Sequence, residues 1–547
     1  MTGTLPAPMG PTERGWRWTA LAEVGLLVLL FFAVGGAPPP GINEAHYLAL
    51  AKNFWQPNWC DTDPFIASSK THLVFHATFG ALTQVATLPA AAWIGRLLGW
   101  AMLAVALRGL TRTVCDLPYA CLAVAAVWIA GVQQFNLSGE WVIGGIEAKV
   151  PAYAFVLIAL TQLALGNWSR IWPWLGIASA FHVLVGGWTV VAAMFAYLVA
   201  GRHSSLPRAQ IFPLALGGAI ALIGLWPALL TSQANDPRDA SLAAHIYTYW
   251  RLPHHLLPSA FSGRAYLLHL VLVSLTLGVA WPLRREPRFR GLFWVLVGCL
   301  GIAACGLAIG LLPKFAPTIA AKLLRYYWFR PTDALTPLTL GLAIVTHCQQ
   351  RAAIGTNDAN DAAANLGNPR DWGAWAAVAP ASVVLLALPL FVQGGLSLPE
   401  GVRSGPSNRE SVKVQRQAYQ DWWETCQWIR RTMPRDEILI TPRHQQTFKW
   451  FAERAEVVNW KDIPQDAPSM VGWHHRFTEI FPQRLGTVRT TIRYPDLVQF
   501  RSRYGVRFMV VDRRAVGPSL PLVQIYPPVS PAAGSHFEKY YAVYRLP

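Results

Sequence analysis

From residue 18 onward, long apolar runs alternate with short polar connections. Near residue 395 the texture changes to mixed charged, aromatic and proline-rich sequence. An α-helix needs about 20 apolar residues to cross a bilayer. The runs predict crossings near 18–36, 89–107, 117–135, 150–166, 172–184, 186–200, 211–230, 265–283, 291–312, 331–348 and 373–393, about 11 helices. The stretch 171–200 is long for one span and short for two, and reads as a tight hairpin of short helices, which a protein-lined cavity permits. Residues 72–88 mix His, Thr and Gln with apolar positions and predict an amphipathic helix lying on the outer surface.

Arginine orients this series, because cytoplasmic loops retain positive charge. Arg14 and Arg17, Arg108 and Arg112, Arg170, Arg202 and Arg208, Arg284 to Arg290 and the segment 349–372 fall on one side. The external segments are then 38–88, 136–149, 231–264 and 313–330, with the N-terminus cytoplasmic and everything after about 394 outside. Helix-like and strand-like pieces alternate in that last part: "VKVQRQAYQDWWETCQWIRRTM", "EILIT", "YPDLVQFRSRYG", "VRFMVVD", "LPLVQIY" and "YYAVYRL". The expected fold is an α-helical polytopic domain over 1–395, in the cell (inner) membrane. A small soluble extracytoplasmic α/β domain follows over 396–547.

Composition sharpens this reading. The chain is 53% hydrophobic and 14% charged, which excludes an ordinary soluble enzyme of 547 residues. A formal net charge of +17 invites a nucleic-acid reading, but Lys and Arg beside anionic headgroups account for it, and no nucleic acid is expected as a partner. Seven cysteines without a CxxC pair indicate neither a disulfide framework nor a zinc motif. The first apolar stretch ends in "GGAPPP" without an A-x-A cleavage site and reads as an anchor.

Ionisable groups at helix mouths mark functional sites more often than surface charges do, and here they gather on the external segments. In "NEAHYLALAKNFWQPNWCDTDPF", Asn43 can cap a helix whose first turn holds Glu44. Glu44 is then either a base or a complement to the helix dipole. His46 follows on the same helix. Asp61 and Asp63 read equally as a turn and cap, with Asp63 retained as a substrate-binding candidate. In "SGEWVIGGIEAKVPAY", Glu140, Glu147 and Lys149 precede a spanning helix. Glu147 and Lys149 do not share a helix face, so each is expected to pair with a different neighbour or to serve a site. "YTYWRLPHHLLPSAF", "AFHVLVGGW" and "KLLRYYWFRPTD" add Arg251, His254, His255, His182, Arg325 and Arg330. Adjacent His254 and His255 point apart on a regular backbone, against a metal pair, and Arg330 with Asp333 fits an i,i+3 salt bridge.

Acids facing cations at an outer membrane surface suit sugar transfer from a lipid phosphate. A carboxylate strips the acceptor hydroxyl, and cations stabilise the phosphate leaving group. Glu44 is the expected base, with Lys149, Arg251 and Arg325 as phosphate clamps. The remaining candidates complete the substrate site. Those motifs, with "THLVFHATFG" and "YGVRFMVVD", resemble the C-type, polyprenyl-phosphate-dependent membrane glycosyltransferases, and more narrowly bacterial members. The resemblance spans nearly the whole chain. It implies a polyprenyl-phosphate-linked sugar donor, a glycan, lipid or protein acceptor, and a first-loop acid as base, which falls on Glu44. The family's second external acid falls on Glu140 or Glu147. Many members carry Asp-Glu or Asp-Asp where this chain has Asn43-Glu44, and that weakens the case for a divalent cation (Mg or Mn), since Asn is a neutral ligand.

Two other readings stay open: a transporter or flippase for a lipid-linked or anionic solute, and an assembly factor docking through its C-terminal domain. In that domain, Arg443, Lys449, Arg454 and Lys461 lie among aromatic residues and read as a basic face near an anionic membrane, or as a glycan contact.

Overall fold

The computed structural model describes residues 13–41, 43–202, 206–232, 236–357, 397–399, 410–481, 493–528 and 539–547. Among them, six helices are long and apolar enough to cross a membrane: Trp18–Gly35, Leu88–Val114, Val183–Gly201, Pro207–Leu230, Gly263–Ala280 and Pro287–Lys314. The apolar helices Ala120–Gln134 and Lys149–Ala164 are shorter. Helix Arg330–Asn357 occupies the expected tenth span, and the expected span 373–393 lies outside the described residues. The protein is a multi-pass membrane protein.

The run 171–200 does fold back on itself. Helix Trp168–Phe181 ends at His182, and helix Val183–Ala196 returns antiparallel, so that Trp168 meets Tyr197 with ring centroids 5.6 Å apart. The turn is tight enough that a Cβ on Gly186 would lie 2.2 Å from the Ser179 nitrogen. Only glycine permits that approach.

Residues 72–88 differ from expectation. In place of one surface helix they form three short turns, Leu73–Ala77, Phe79–Ala81 and Leu82–Val85, with Phe75 and His76 buried. The stretch packs against the first-loop helix Glu44–Trp55 because its apolar residues face protein on more than one side.

At the opposite end of the bundle, Glu23 is buried in the first spanning helix and accepts from Arg108 Nε at 2.7 Å, Arg112 Nη2 at 2.6 Å and the Tyr119 N–H at 2.8 Å. A buried carboxylate persists only when matched in this way.

The C-terminal part is a five-stranded sheet between helices. Its strands are β1 Ile438–Ile440, β2 Ala455–Glu456, β3 Phe508–Asp512, β4 Val523–Tyr526 and β5 Tyr541–Arg545, in the order β2-β1-β3-β5-β4. β1 runs parallel to β2 and β3, while β5 is antiparallel to β3 and β4. Side chains alternate across a strand. Val510, Tyr541 and Val543 therefore meet Trp422, Cys426 and Ile429 of helix Val412–Thr432, and Met509, Val511, Ala542 and Tyr544 meet Trp473, Phe477 and Phe500 on the other face.

Candidate functional site

The segment 139–148 that precedes helix Lys149–Ala164 is held from below by Glu44. The Glu44 carboxylate, 1% exposed, accepts from Arg96 Nε at 2.6 Å and Arg96 Nη2 at 2.5 Å. It also accepts from the Gly41 N–H at 2.6 Å and the Ile146 N–H at 2.7 Å. Gly145 lies so close that a Cβ there would sit 2.8 Å from the Glu44 Cδ. Glu44 thus fixes the backbone next to Glu147.

Asn43, expected as a helix cap, makes no side-chain cap. Its amide instead donates to Glu147 Oε2 at 2.7 Å. Lys149 Nζ lies 2.9 Å from Glu147 Oε1 and 2.7 Å from Glu140 Oε1, and 3.9 Å above the Trp141 ring. Glu147 and Lys149 do pair, because Glu147 precedes the helix and the helix-face rule does not govern it. Glu140 holds Arg330 on its other oxygen. The expected Arg330–Asp333 bridge is absent among the described residues: Asp333 accepts from the Leu137 N–H at 2.7 Å and the Ser138 N–H at 2.9 Å.

Above this floor opens a cavity of about 360 Å³. Asn43, His46, Tyr47, His72, Glu147, Lys149, His182, Arg251, Arg325, Arg330 and Lys461 supply its polar lining. Leu184, Leu225, Ala228 and Leu229 supply an apolar wall. Among the described residues Glu147 is the one carboxylate in that lining, and both its oxygens are engaged. Five cations face it. Arg330 stacks 4.3 Å from the Tyr327 ring and approaches His182 Nε2 at 3.2 Å, while the His182 Nδ1 accepts from the Val185 N–H at 3.3 Å. The Arg325 guanidinium has no hydrogen-bond or ion-pair partner among the described residues. A surplus of positive charge in a half-enclosed site attracts anions.

The C-terminal part closes one side. Arg251, at the end of a π-helical turn, donates from Nε to the Trp460 carbonyl at 2.9 Å and stacks 4.7 Å from the Trp460 ring. Burial, and after it the nearby Arg251 guanidinium, pull the Lys461 ammonium down to about 8. Beneath Trp460, Lys449 Nζ is buried between Asp63 (3.1 Å), Glu456 (2.7 Å) and Asp462 (2.7 Å). Those three acids hold its ammonium pKa well above the usual range despite burial. Asp63 comes from the first loop, so this quartet ties the loop to the sheet. His46 Nδ1 adds a contact to Asp462 Oδ1 at 3.4 Å.

Of the residues expected at the site, His46, Glu147, Lys149, His182, Arg251, Arg325 and Arg330 converge on the cavity. Glu44 and Glu140 lie beneath it as braces, and Asp63 belongs to the Lys449 quartet, where it also accepts from the Phe65 N–H at 2.9 Å. His254 and His255 stand apart from the lining. His255 Nδ1 sits 2.5 Å from the Ser138 carbonyl, and the two imidazoles contact each other with centroids 4.1 Å apart. The basic face expected in the C-terminal domain separates into different roles: Lys449 is buried, Arg454 donates to the Met433 and Arg430 carbonyls at 2.7 and 2.8 Å, and Lys461 enters the cavity. Sequence reasoning missed Asn43, Tyr47 and His72 as lining residues. Asn43 was visible as the departure from the acidic pair.

Comparison with solved structures decides the architecture. ArnT from Cupriavidus metallidurans bound to undecaprenyl phosphate aligns with a TM-score of 0.52 at 13% identity, covering 97% of this chain and 98% of that one. Its apo state aligns with a TM-score of 0.50 at 14% identity and the same coverage. The chain shares the fold of ArnT over nearly its whole length. Residues 420–480 match a family model described as a domain of unknown function, DUF6798. That segment carries Lys449, Trp460, Lys461 and Asp462. No curated protein sequence matches the chain.

Proposed function

We propose that the protein is a membrane glycosyltransferase moving a sugar from a polyprenyl-phosphate donor to an acceptor outside the cytoplasm. The cavity and the 396–547 domain would lie on that side. The observation that carries this reading is the cavity itself: Lys149, Arg251, Arg325, Arg330 and Lys461 around the Glu147 carboxylate, beside an apolar wall. A lipid phosphate needs both features, cations for the headgroup and an apolar groove for the chain. The similarly folded ArnT was solved with undecaprenyl phosphate, which supports a lipid phosphate as the ligand class.

Glu147 takes the role of base. The acceptor O–H gives its proton to Glu147, its oxygen bonds to the anomeric carbon, and the bond from that carbon to the phosphate oxygen breaks. The polyprenyl phosphate leaves with its new charge met by arginine and lysine rather than by a proton. Asn43 and Lys149 hold the carboxylate in place, and Glu44 holds the backbone beneath it. No step is assigned to a divalent cation. Lys149 already stands between Glu140 and Glu147, the two acids at the floor.

The test is complementation of a deletion strain with wild type or Glu147→Gln, with envelope glycans and lipid-linked sugars compared by mass spectrometry at equal protein level. Removal of a general base lowers the rate by about 10²–10⁴-fold. The expected result is one missing glycosylated product and accumulation of its polyprenyl-phosphate sugar. Identical products from both strains would overturn the assignment.

A further inference from the structure

The membrane helices do not supply all of the cavity. Lys461 comes from the C-terminal α/β region, and its placement is rigid. The Asn459 side chain accepts from the Lys461 N–H at 2.8 Å and the Asp462 N–H at 2.9 Å, while its amide donates to Glu456 at 2.7 Å and Asp462 at 2.9 Å. The Trp460 N–H donates to the Arg443 carbonyl at 3.0 Å, and the Trp460 carbonyl receives Arg251. This turn is therefore anchored on three sides: by Arg251 from the membrane helices, by the Lys449 quartet, and by His46 through Asp462.

The Lys461 ammonium itself is unmatched. Among the described residues its Nζ has no hydrogen-bond or ion-pair partner. The two acids whose fields reach it, Glu147 and Asp462, are already engaged, Glu147 by Lys149 and Asn43 and Asp462 by Lys449 and Asn459. Arg251 and Lys149 repel it. A half-buried lysine with cationic neighbours and no free acid gains from an anion arriving from outside.

We propose that Lys461 is a binding residue for the phosphate of the lipid donor, so that the pocket is complete only when the C-terminal region is docked on the first loop. This inference rests on the glycosyltransferase reading above and deepens it. The segment 420–480, which matches a domain of unknown function, then presents one cation to the headgroup and fixes it through the Lys449 quartet. The lowered ammonium pKa agrees with this placement, since a bound phosphate would raise it again.

The experiment uses the full-length protein in nanodiscs of neutral phosphatidylcholine, titrated with undecaprenyl phosphate and, separately, with undecaprenol, and read by tryptophan fluorescence. The variants are Lys461→Met, Lys461→Arg, Lys449→Met and, as a charge control on the same region, the exposed Arg503→Met. Lys461→Met is expected to weaken undecaprenyl phosphate binding about tenfold or more, by loss of one charge-assisted contact, with undecaprenol binding unchanged. Lys461→Arg should restore most of the affinity. Lys449→Met, which keeps Lys461 but loosens its turn, should weaken the phosphate lipid in the same direction, and Arg503→Met should not. Wild-type affinity in Lys461→Met, or an equal loss in Arg503→Met, overturns the inference and leaves the glycosyltransferase reading standing. A wild type that binds undecaprenyl phosphate no better than undecaprenol overturns both.

Discussion

Glu44→Gln separates a brace from a base. The substitution changes one atom but removes the charge that faces Arg96, which is itself 1% exposed. Four donors converge on the carboxylate: the Nε and Nη2 of Arg96 and the N–H groups of Gly41 and Ile146, all within 2.7 Å. An amide offers one oxygen to them and turns an NH2 toward the others. Removing one partner of a buried ion pair costs about 3–5 kcal/mol, most of it from the charge left behind. The thermal unfolding midpoint of the detergent-solubilised protein should therefore fall, and the proposed glycosyl transfer should fall with it as the segment carrying Glu147 loosens. Deleting the stranded charge should reverse much of the loss. Glu44→Gln combined with Arg96→Met is expected to be more stable than Glu44→Gln alone and to regain activity, a coupling that a double-mutant cycle measures directly. The reasoning is refuted if Glu44→Gln keeps the wild-type midpoint while transfer collapses and the double variant restores nothing. That outcome would return the role of base to Glu44.

The same interactions lead to further expectations. Gly145→Ala would drive a methyl to 2.8 Å from Glu44; overpacking of this kind costs about 1–3 kcal/mol, and the variant should show a lowered midpoint together with reduced transfer. Lys449→Met leaves Asp63, Glu456 and Asp462 buried without their cation, at a cost of about 3–5 kcal/mol; limited proteolysis should cut the C-terminal region faster than in wild type. Because the stranded carboxylates would then favour their protonated forms, that sensitivity should lessen as pH is lowered toward about 4. In the wild type, burial holds His72, His255 and His444 down to about 4. Their folded pKa values lie below the unfolded value of about 6.5, so the stability they contribute is complete above that pH and is lost as pH falls through it toward 4. A midpoint that does not move between about pH 7 and about pH 4.5 would contradict this burial.

What the sequence made legible was whatever rests on local pattern. Apolar runs located the helices because spanning length is set by the bilayer rather than by tertiary contacts, and the hairpin at His182 followed from a run too long for one span. "VRFMVVD" and "YYAVYRL" became strands buried on both faces. The direction of Glu44 was not local. It depends on Arg96, which lies 52 residues away inside a predicted span, and helix-start reasoning sees only the dipole. A signal was nonetheless present: an arginine within a span demands an opposite charge at its depth, and the first-loop acid could have been assigned to it. Lys449 and Lys461 illustrate the same limit. Both lie in basic, aromatic stretches of similar appearance, yet one is enclosed by three acids and the other meets none among the described residues, a difference created by the docking of the sheet on the first loop. Once the internal pairs are matched, Glu44 with Arg96, Glu140 with Arg330 and Glu147 with Lys149, the remaining cavity charge belongs to Arg251, Arg325 and Lys461. That remainder favours an anionic headgroup as the ligand, and Glu147 is the acid left within its reach.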